Sequence, residues 1–281
     1  MHKYSIEEIL NNIEKENAFS CVSEDESFKI TIEEYVPHVC VAIHNGDKLR
    51  DGLRDKINLS KEERWHEEDA ITGKLISSLP IRIVALDSRY EYDLNRQTNK
   101  CVYDVAWGKK VWKEKLNKNE IAESVRKHNN FYQIIDAIVA KIEKKFEYCV
   151  VYDIHSYNYN GIEDALTPLF NIGTKNVDRK YSAVVENWMK CLFEISIKNI
   201  ENSVKENSVF KGRGFLLKHL TDEFNGTLVL ATEIKKVYCN ELSGEIHPRI
   251  VSDLKRSLKE AIVDNIEFVS GFKSGDGYKI S

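Results

Sequence analysis

The sequence has little of several features that mark particular classes of protein. It contains four prolines and no low-complexity tract, so a linker between two domains has little support. No segment approaches the roughly 18 consecutive apolar residues of a membrane-spanning helix, and the first residues form a charged amphipathic pattern without a secretory core. We therefore expect a cytoplasmic protein with one domain over residues 1–281 and a helical extension over about residues 1–20.

The sequence also lacks an excess of basic over acidic residues and has no closely spaced pair of cysteines. The 41 Lys and Arg are outnumbered by 45 Asp and Glu, which gives a formal net charge of −4. Neither a nucleic acid nor a membrane surface is therefore expected as a partner. The six cysteines form no C-x-x-C pair, which argues against a zinc knuckle or a small disulfide framework.

The chain does contain apolar runs rich in β-branched residues, with helical patterns between them. Strands are predicted at residues 35–44, 81–87, 148–155 and 227–234, and helices at residues 121–146, 181–204 and 247–266. This alternation is typical of a three-layer αβα domain with a mixed, mostly parallel central sheet. In such sheets ligands bind at the carboxyl ends of the strands.

Histidines end two of the predicted strands. His44 closes the first strand, in "VAIHNGD", and His155 closes the third, in "VVYDIHSYN". A lone histidine at a strand end is more often structural than a metal ligand, but here the arrangement occurs twice. Asp153 lies two residues before His155, on the same strand face, and could orient its ring.

A catalytic zinc commonly takes two histidines and a carboxylate. The segment "RWHEEDAITGKLI" supplies Glu67, Glu68 and Asp69 just before an apolar helical pattern. Acids at the start of a helix also stabilise its dipole, and His66 is a further possible ligand. If the two strand-end histidines share an ion with one of these acids, their rings should lie within about 5 Å of each other.

Glu233 ends the fourth predicted strand, in the otherwise apolar "LVLATEIKKVY". Partial burial there would raise its pKa towards the range that suits a general base. The alternative is an ion pair with Lys235 or Lys236.

The stretch "DSRYEYDLNR", residues 87–96, combines dense charge with aromatic residues. Arg89 and Arg96 could clamp an anionic group of a substrate by bidentate hydrogen bonds, and Asn95 could add a directional donor and acceptor. The stretch therefore predicts a site that binds an anion.

These segments, in this order, resemble the N-formylglutamate amidohydrolase family and, more distantly, the zinc carboxypeptidases that share its phosphorylase/hydrolase-like fold. The matching stretches are "AIHNG", "HEEDAIT", "SRYEYDLNR", "DIHS" and "LATEIKKVY", which together reach from about residue 36 to 240. "SRYEYDLNR" is the most specific, because the family carries a serine-arginine pair followed by Asp-Leu-Asn-Arg, and the carboxypeptidases carry a similar Asn-Arg.

The resemblance implies one zinc ion per chain. His44, His155 and one acid of the cluster would hold it. Asp69 is the preferred acid, because the family usually has an aspartate at this point, and Glu68 is the alternative.

The resemblance also implies roles in the reaction. Arg89 would support the developing oxyanion, and Glu233 would activate the attacking water. Asn95 and Arg96 would bind the carboxylate of the substrate.

Other positions are less typical of the family. His128 matches a tendency for a histidine to open the long helix, where a polar helix-face residue is the alternative. The Gly-rich segment "FKGRGF" inserts Arg213 between Gly212 and Gly214, where it could add a second anionic contact or cap a turn. Residues 45–60 are charged and lack the usual small residues and prolines, so the acyl pocket is expected to differ.

The predicted function is hydrolysis of the amide bond of a small N-acyl amino acid such as N-formylglutamate. One alternative is a carboxypeptidase-like metallopeptidase that acts on short peptides with the same residues. A second, from a different class, is a non-catalytic anion-binding protein of the same fold.

Overall fold

The computed structural model describes residues 2–163 and 167–273 of the chain. The strands are β1 (His2–Tyr4), β2 (Phe19–Ser23), β3 (Phe28–Ile32), β4 (His38–Ala42), β5 (Ile81–Ala85), β6 (Val105–Ala106), β7 (Lys109–Lys110), β8 (Cys149–Tyr157), β9 (Phe170–Gly173), β10 (Val204–Glu206) and β11 (Thr227–Lys235). The helices are α1 (Ile6–Glu14), α2 (Asp51–Arg54), α3 (Lys61–Glu67), α4 (Thr72–Leu75), α5 (Lys118–Phe146), α6 (Ser182–Phe193), α7 (Phe215–Glu223) and α8 (Pro248–Lys273).

The main sheet has nine strands in the order β1-β2-β3-β5-β4-β8-β11-β9-β10, and β6 and β7 form a separate hairpin. The neighbours β5, β4, β8 and β11 run parallel to one another, so their carboxyl ends meet at one edge. Antiparallel pairing occurs where β3 meets β2 and β5, and where β9 meets β11. The prediction of a mixed, mostly parallel sheet is confirmed.

Helices cover both faces of this sheet. Helices α4, α6 and α8 pack on one face, against side chains such as Tyr152 and Leu230. Helices α1, α5 and α7 pack on the other, against Val151 and Val229. Because successive strand residues point to opposite faces, a strand buried on both sides must be apolar throughout. That is why the central strands are recognisable as continuous apolar runs.

Local signals set the limits of the long helix α5. The Asn117 side chain accepts hydrogen bonds from the backbone N–H groups of Asn119 and Glu120, and the Glu120 side chain bonds back to the Asn117 backbone. This reciprocal capping satisfies the first free N–H groups of the helix. The helix ends at Glu147, which has a left-handed φ of 67°.

The four predicted strands correspond to β4, β5, β8 and β11. The helix predicted over residues 181–204 is too long, since α6 ends at Phe193 and residues 204–206 form β10. The Asn202 amide donates hydrogen bonds to the carbonyls of Leu192 and Ile195, so it satisfies the end of the helix where the chain turns back.

The N-terminal segment holds more than the expected helix. Strand β1 pairs with β2 at the edge of the sheet, and α1 packs beside α5. All six cysteines are free and buried. Within residues 2–163 and 167–273, no helix is both long and apolar enough to cross a membrane.

Candidate metal and active site

A cavity of about 570 Å³ opens at the carboxyl ends of the central parallel strands. Its lining includes Asp153 and His155 from β8, Ala231 and Glu233 from β11, and His44 just after β4. Ligands bind at this edge of α/β sheets because loops there can vary without disturbing the core. The three polar residues predicted at strand ends therefore share one cavity.

Three buried side chains, His44, Asp69 and His155, meet at this cavity, and each is at most 3% exposed. Their potential donor atoms all lie within 4.8 Å of one another. Asp69 Oδ2 faces both rings, 2.9 Å from His155 Nδ1 and 3.4 Å from His44 Nδ1. The ring centroids of the two histidines are 4.9 Å apart, which is within the separation expected for ligands of one ion.

A second carboxylate stands behind each imidazole. His44 Nε2 lies 2.7 Å from Asp93 Oδ1, and His155 Nε2 lies 3.0 Å from Asp153 Oδ2. Both acids are buried. A carboxylate in this position fixes the orientation of a ring and leaves the other ring nitrogen available to a metal. Both histidines therefore present Nδ1 to Asp69.

The arrangement fits a divalent metal ion. In the described part of the chain, His44 Nδ1 and His155 Nε2 make no hydrogen bond, although each has a carboxylate oxygen within ion-pair distance, at 3.4 and 3.0 Å. Tetrahedral zinc with bonds of about 2.0–2.2 Å holds its donor atoms about 3.3 Å apart, which is comparable to the 2.9 and 3.4 Å from Asp69 Oδ2 to the two rings. Although burial opposes it, the rings of His155 and His44 lower the pKa of Asp69, which keeps the carboxylate charged.

The loop between α3 and α4 positions Asp69. The Asp69 backbone N–H donates to the carbonyl of His44 at 2.9 Å. The buried Lys236 ammonium, just after β11, donates to the carbonyls of His66 and Glu68 at 2.8 and 3.0 Å. The loop is thus tied to the ends of two central strands. The His66 side chain lines the cavity outside the metal cluster.

The acidic cluster does not open a helix as predicted. Helix α3 ends at Glu67, and Glu68 and Asp69 lie in the loop that follows. The Glu68 carboxylate accepts hydrogen bonds from Ser88 Oγ at 2.5 Å and from Arg64 Nη1 at 3.0 Å. It is therefore engaged away from the two imidazoles, whereas Asp69 joins them.

Glu233 lies beside the metal cluster. In the register of the parallel pair β8 and β11 it is the partner of His155, so the two side chains share a face of the sheet. Burial, with the nearby charge of Asp69, raises the pKa of Glu233 to about 8, although His155 acts in the opposite direction. Lys235 and Lys236 form hydrogen bonds elsewhere, so neither makes the alternative ion pair.

Much of the charge in residues 87–96 is used inside the protein. Lys127 Nζ, from α5, lies 2.8 Å from Asp87 and 3.2 Å from Glu91. Arg50 Nη1 lies 2.5 Å from Glu91. Buried charges are tolerated when they are paired in this way. This network holds the segment against α5 and leaves only part of its charge for a ligand.

Three residues of the same segment line the cavity. Arg89 donates to Asp93 Oδ2 at 2.9 Å and to the carbonyl of Glu67 at 3.0 Å, so its guanidinium is fixed in the wall. The Asn95 side chain is partly buried there, and Arg96 is exposed. Of these three residues, only Arg96 is exposed.

Glycines shape the loop that carries Arg213, which is exposed and lines the cavity. Gly212, at φ +65°, crosses Gly173 in β9 so closely that a Cβ on it would lie 2.2 Å from the Gly173 carbonyl oxygen. A Cβ on Gly214 would lie 2.1 Å from the Asn95 side chain. Only glycine allows both approaches.

His128 lies behind the cavity wall. Its Nε2 is 2.9 Å from the carbonyl oxygen of Arg96, and its ring packs against Tyr132 and Phe215. Burial lowers the pKa of His128, which favours the neutral ring. The histidine supports the backbone that presents Arg96.

Comparison with protein families identifies the group to which the chain belongs. Residues 36–239 match the model of the N-formylglutamate amidohydrolase family. The chain belongs to the N-formylglutamate amidohydrolase family. The resemblance of the motifs is thereby confirmed, and membership indicates a hydrolase that acts on an amide bond of a small molecule.

Solved structures share the fold of this family member. An N-formylglutamate amidohydrolase from Ralstonia eutropha aligns with a TM-score of 0.70 at 18% identity, covering 86% of this chain and 98% of that one. A gene product of Agrobacterium tumefaciens aligns with a TM-score of 0.68 at 15% identity, covering 88% and 98%. A metallo-carboxypeptidase from Burkholderia cenocepacia reaches only 0.40 at 13% identity, covering 86% and 61%, too little to support a conclusion. None of the curated proteins matches significantly.

One residue of this candidate site was not among those predicted from the sequence. Asp93 is the aspartate of the Asp-Leu-Asn-Arg motif, and it contacts both His44 and Arg89. The sequence signal for it is an acid two residues before Asn95, inside an otherwise cationic motif. A carboxylate inside a cationic motif needs a buried positive or hydrogen-bonding partner, and a candidate histidine is such a partner.

Proposed function

We propose that the protein hydrolyses the amide bond of an N-acyl amino acid with a free carboxylate, such as N-formylglutamate, and that it uses one zinc ion per chain. The observation that carries the proposal is the group of three donors, His44, Asp69 and His155, with a carboxylate behind each ring and Glu233 beside them. Family membership supports an amide as the bond that is cleaved.

His44, Asp69 and His155 would hold the metal. When bound, a divalent cation would supply positive charge that polarises the amide carbonyl and lowers the pKa values of the attacking water and of Glu233. Asp93 and Asp153 would keep the rings in the orientation that this binding needs.

Glu233 is the proposed general base. Its carboxylate would accept a proton from the attacking water as the water oxygen bonds to the amide carbon. It would then pass that proton to the leaving nitrogen as the C–N bond breaks, so that the products are a carboxylic acid and a free amino acid. Arg89, fixed by Asp93 in the cavity wall, would face the negative charge that develops on the carbonyl oxygen.

The exposed arginine side chains of the cavity would bind the carboxylates of the substrate. Arg96 and Arg213 reach the cavity from two different loops and could each offer two parallel N–H donors. Asn95 would add a directional contact between them. His128 would act through the Arg96 backbone.

The test is an assay of the purified, zinc-loaded protein for formate release from N-formylglutamate. We expect turnover that a chelator abolishes and that zinc restores. A panel of short peptides separates the carboxypeptidase alternative, which would release C-terminal residues instead. Tight binding of N-formylglutamate without release of any product would favour the non-catalytic binding protein and contradict the proposal.

A further inference from the structure

The exposed lining of the cavity includes apolar side chains as well as Arg96 and Arg213. Among the described residues, the exposed large hydrophobic side chains are Val105, Trp107, Ile162, Phe193, Phe210, Leu242 and Val263. Three of these seven, Trp107, Ile162 and Phe210, line this one cavity. Single exposed hydrophobic residues are ordinary, but a group of them around a site marks a surface that binds apolar groups.

Trp107 occupies an unusual backbone position. Val105 pairs with Lys110 and Ala106 with Lys109, so Trp107 and Gly108 form the two-residue turn of the β6–β7 hairpin. Their φ angles are +48° and +75°. Such a turn favours Asn, Asp or Gly at its first position, because a bulky side chain is crowded in the left-handed region. A tryptophan at this position carries a backbone cost, which points to a function for its side chain.

The surroundings of Trp107 hold the indole at the cavity. Its ring lies 4.8 Å from the Arg89 guanidinium, and the rings of Tyr90 and Tyr103 meet it edge-on at 5.7 and 5.8 Å. The side chain is nevertheless 48% exposed. About half of the indole surface is thus available to a ligand. Because the neighbouring residues already orient the ring, less conformational entropy is lost when a ligand binds.

Phe210 reaches the cavity from a different part of the chain and is 43% exposed. Its backbone is fixed by the fully buried Asn171 of β9, whose side chain donates to the Phe210 carbonyl and accepts from the Val209 N–H, both at 2.9 Å. The Phe210 ring also meets Tyr157 edge-on, with 5.9 Å between centroids. Phe210 is therefore positioned by its neighbours, as Trp107 is.

We propose that Trp107 and Phe210 form an apolar subsite that takes an aromatic or branched aliphatic group of the substrate. The inference rests on the proposed amidohydrolase function and narrows its substrate class to N-acyl amino acids that carry an apolar group larger than formyl. The cavity of about 570 Å³ lies within the ~300–1,000 Å³ typical of sites for drug-sized ligands, so it has room for such a group beside the charged residues. The group could belong to the acyl part or to the amino-acid side chain.

Binding in a variant with strongly reduced turnover tests the subsite separately from catalysis. In the Glu233→Gln background, calorimetry would give the Kd of N-formylglutamate, of N-benzoylglutamate and N-isobutyrylglutamate, and of N-formylphenylalanine and N-formylleucine. Relative to N-formylglutamate, the first pair varies the acyl group and the second pair varies the side chain. We expect at least about tenfold tighter binding in one of these two pairs than for N-formylglutamate, from the apolar area buried.

Trp107→Ala should weaken binding of the preferred apolar ligand at least about tenfold more than binding of N-formylglutamate. Trp107→Phe should retain most of the preference, because an aromatic ring remains. Phe210→Ala should act in the same direction as Trp107→Ala. Phe193→Ala removes an aromatic side chain that is 64% exposed outside the cavity, and it serves as the control. Circular dichroism would verify that each variant is folded.

The outcomes separate this inference from the function on which it rests. Equal affinity for all ligands, or an equal loss for all of them in Trp107→Ala, would assign the indole to support of Arg89 alone and overturn the subsite. Absence of product from every substrate with the wild-type protein would instead contradict the amidohydrolase, while the order of Kd values would still decide whether an apolar group is bound.

Discussion

His44 Nε2 lies 2.7 Å from a carboxylate oxygen of Asp93, while its Nδ1 faces Asp69 at 3.4 Å. The contact with Asp93 places the ring proton on Nε2 and leaves the Nδ1 lone pair for a cation. His155 has a carboxylate on the same side, with Nε2 3.0 Å from Asp153, but the hydrogen bond of its ring is made by Nδ1 to Asp69. The His44 ring is therefore held through Nε2, and the His155 ring through Nδ1.

Asp93→Asn should lower zinc affinity by about 10- to 100-fold, because the neutral amide no longer favours the required tautomer of His44. Competition with a chromophoric chelator measures the affinity. Asp136→Asn is the matched control, since Asp136 pairs with His219 Nε2 at 2.8 Å away from the cavity. Equal affinity in the Asp93 variant and the wild type would show that Asp93 does not orient a ligand.

The metal content of purified variants should distinguish the proposed metal ligands from the neighbouring acids. His155→Ala should lose the ion on dialysis, because only two of the three protein donors remain. Glu68→Gln should keep it, because that carboxylate bonds to Ser88 and Arg64. Atomic emission of the dialysed proteins is the measurement. Full occupancy in His155→Ala, or loss in Glu68→Gln, would require a different set of ligands.

Glu233→Gln should reduce turnover at least about a hundredfold, which is the scale of lost general base catalysis. The zinc content should stay that of the wild type, because Glu233 is not one of the three donors. Steady-state kinetics with parallel metal analysis would check both statements. Turnover close to normal would remove Glu233 from the reaction.

Ionisation of Glu233 should destabilise the metal-free protein as the pH rises. The pKa of Glu233 is raised from its ordinary value of 4.5 to about 8, so its contribution is fully present below pH 4.5 and is lost as the pH rises through about 8. Glu233→Gln lacks this loss. We therefore compare the melting temperatures of the metal-stripped variant and the metal-stripped wild type. The difference, variant minus wild type, should increase by at least about 2 °C from pH 5 to pH 9. Parallel melting curves for the two proteins would contradict this.

Arg96→Ala should raise KM at least about tenfold for a substrate with a free carboxylate, because a charge-assisted hydrogen bond is lost. The effect on the corresponding amide, which lacks that charge, should be much smaller. Lys100→Ala removes an exposed base four positions away, outside the cavity, and controls for long-range charge. The same rise in KM for acid and amide would exclude Arg96 as the carboxylate contact.

The sequence predicts the centre of the fold better than its edges. Strands such as β8 and β11 are buried on both faces and therefore appear as long apolar runs. The edge strand β10 has three residues with exposed side chains at Lys205 and Glu206, so its composition resembles that of a loop. Its pairing with β9 depends on where the rest of the chain folds.

The candidate site likewise has a part that the sequence predicts and a part that it does not. Residues at strand ends could be predicted, because the topology of parallel sheets gathers them at one edge. The contact between His44 and Asp93 joins residues 49 positions apart, and no local pattern encodes it. Likewise the partners of Asp87 and Glu91 come from Lys127 and Arg50, which only tertiary structure brings near.

The pairing of Glu233 with His155 in adjacent strands has a consequence for how this centre tolerates change. Backbone hydrogen bonds hold neighbouring strands ~4.8 Å apart, so the spacing between the proposed base and one of the proposed metal ligands is set by the pairing of the two strands. Mutations in surrounding loops can alter what enters the cavity without changing that spacing. By contrast, a shift of one residue in the register of β11 against β8 would turn the Glu233 carboxylate to the opposite face of the sheet. The proposed general base would then lie away from the proposed metal ligands.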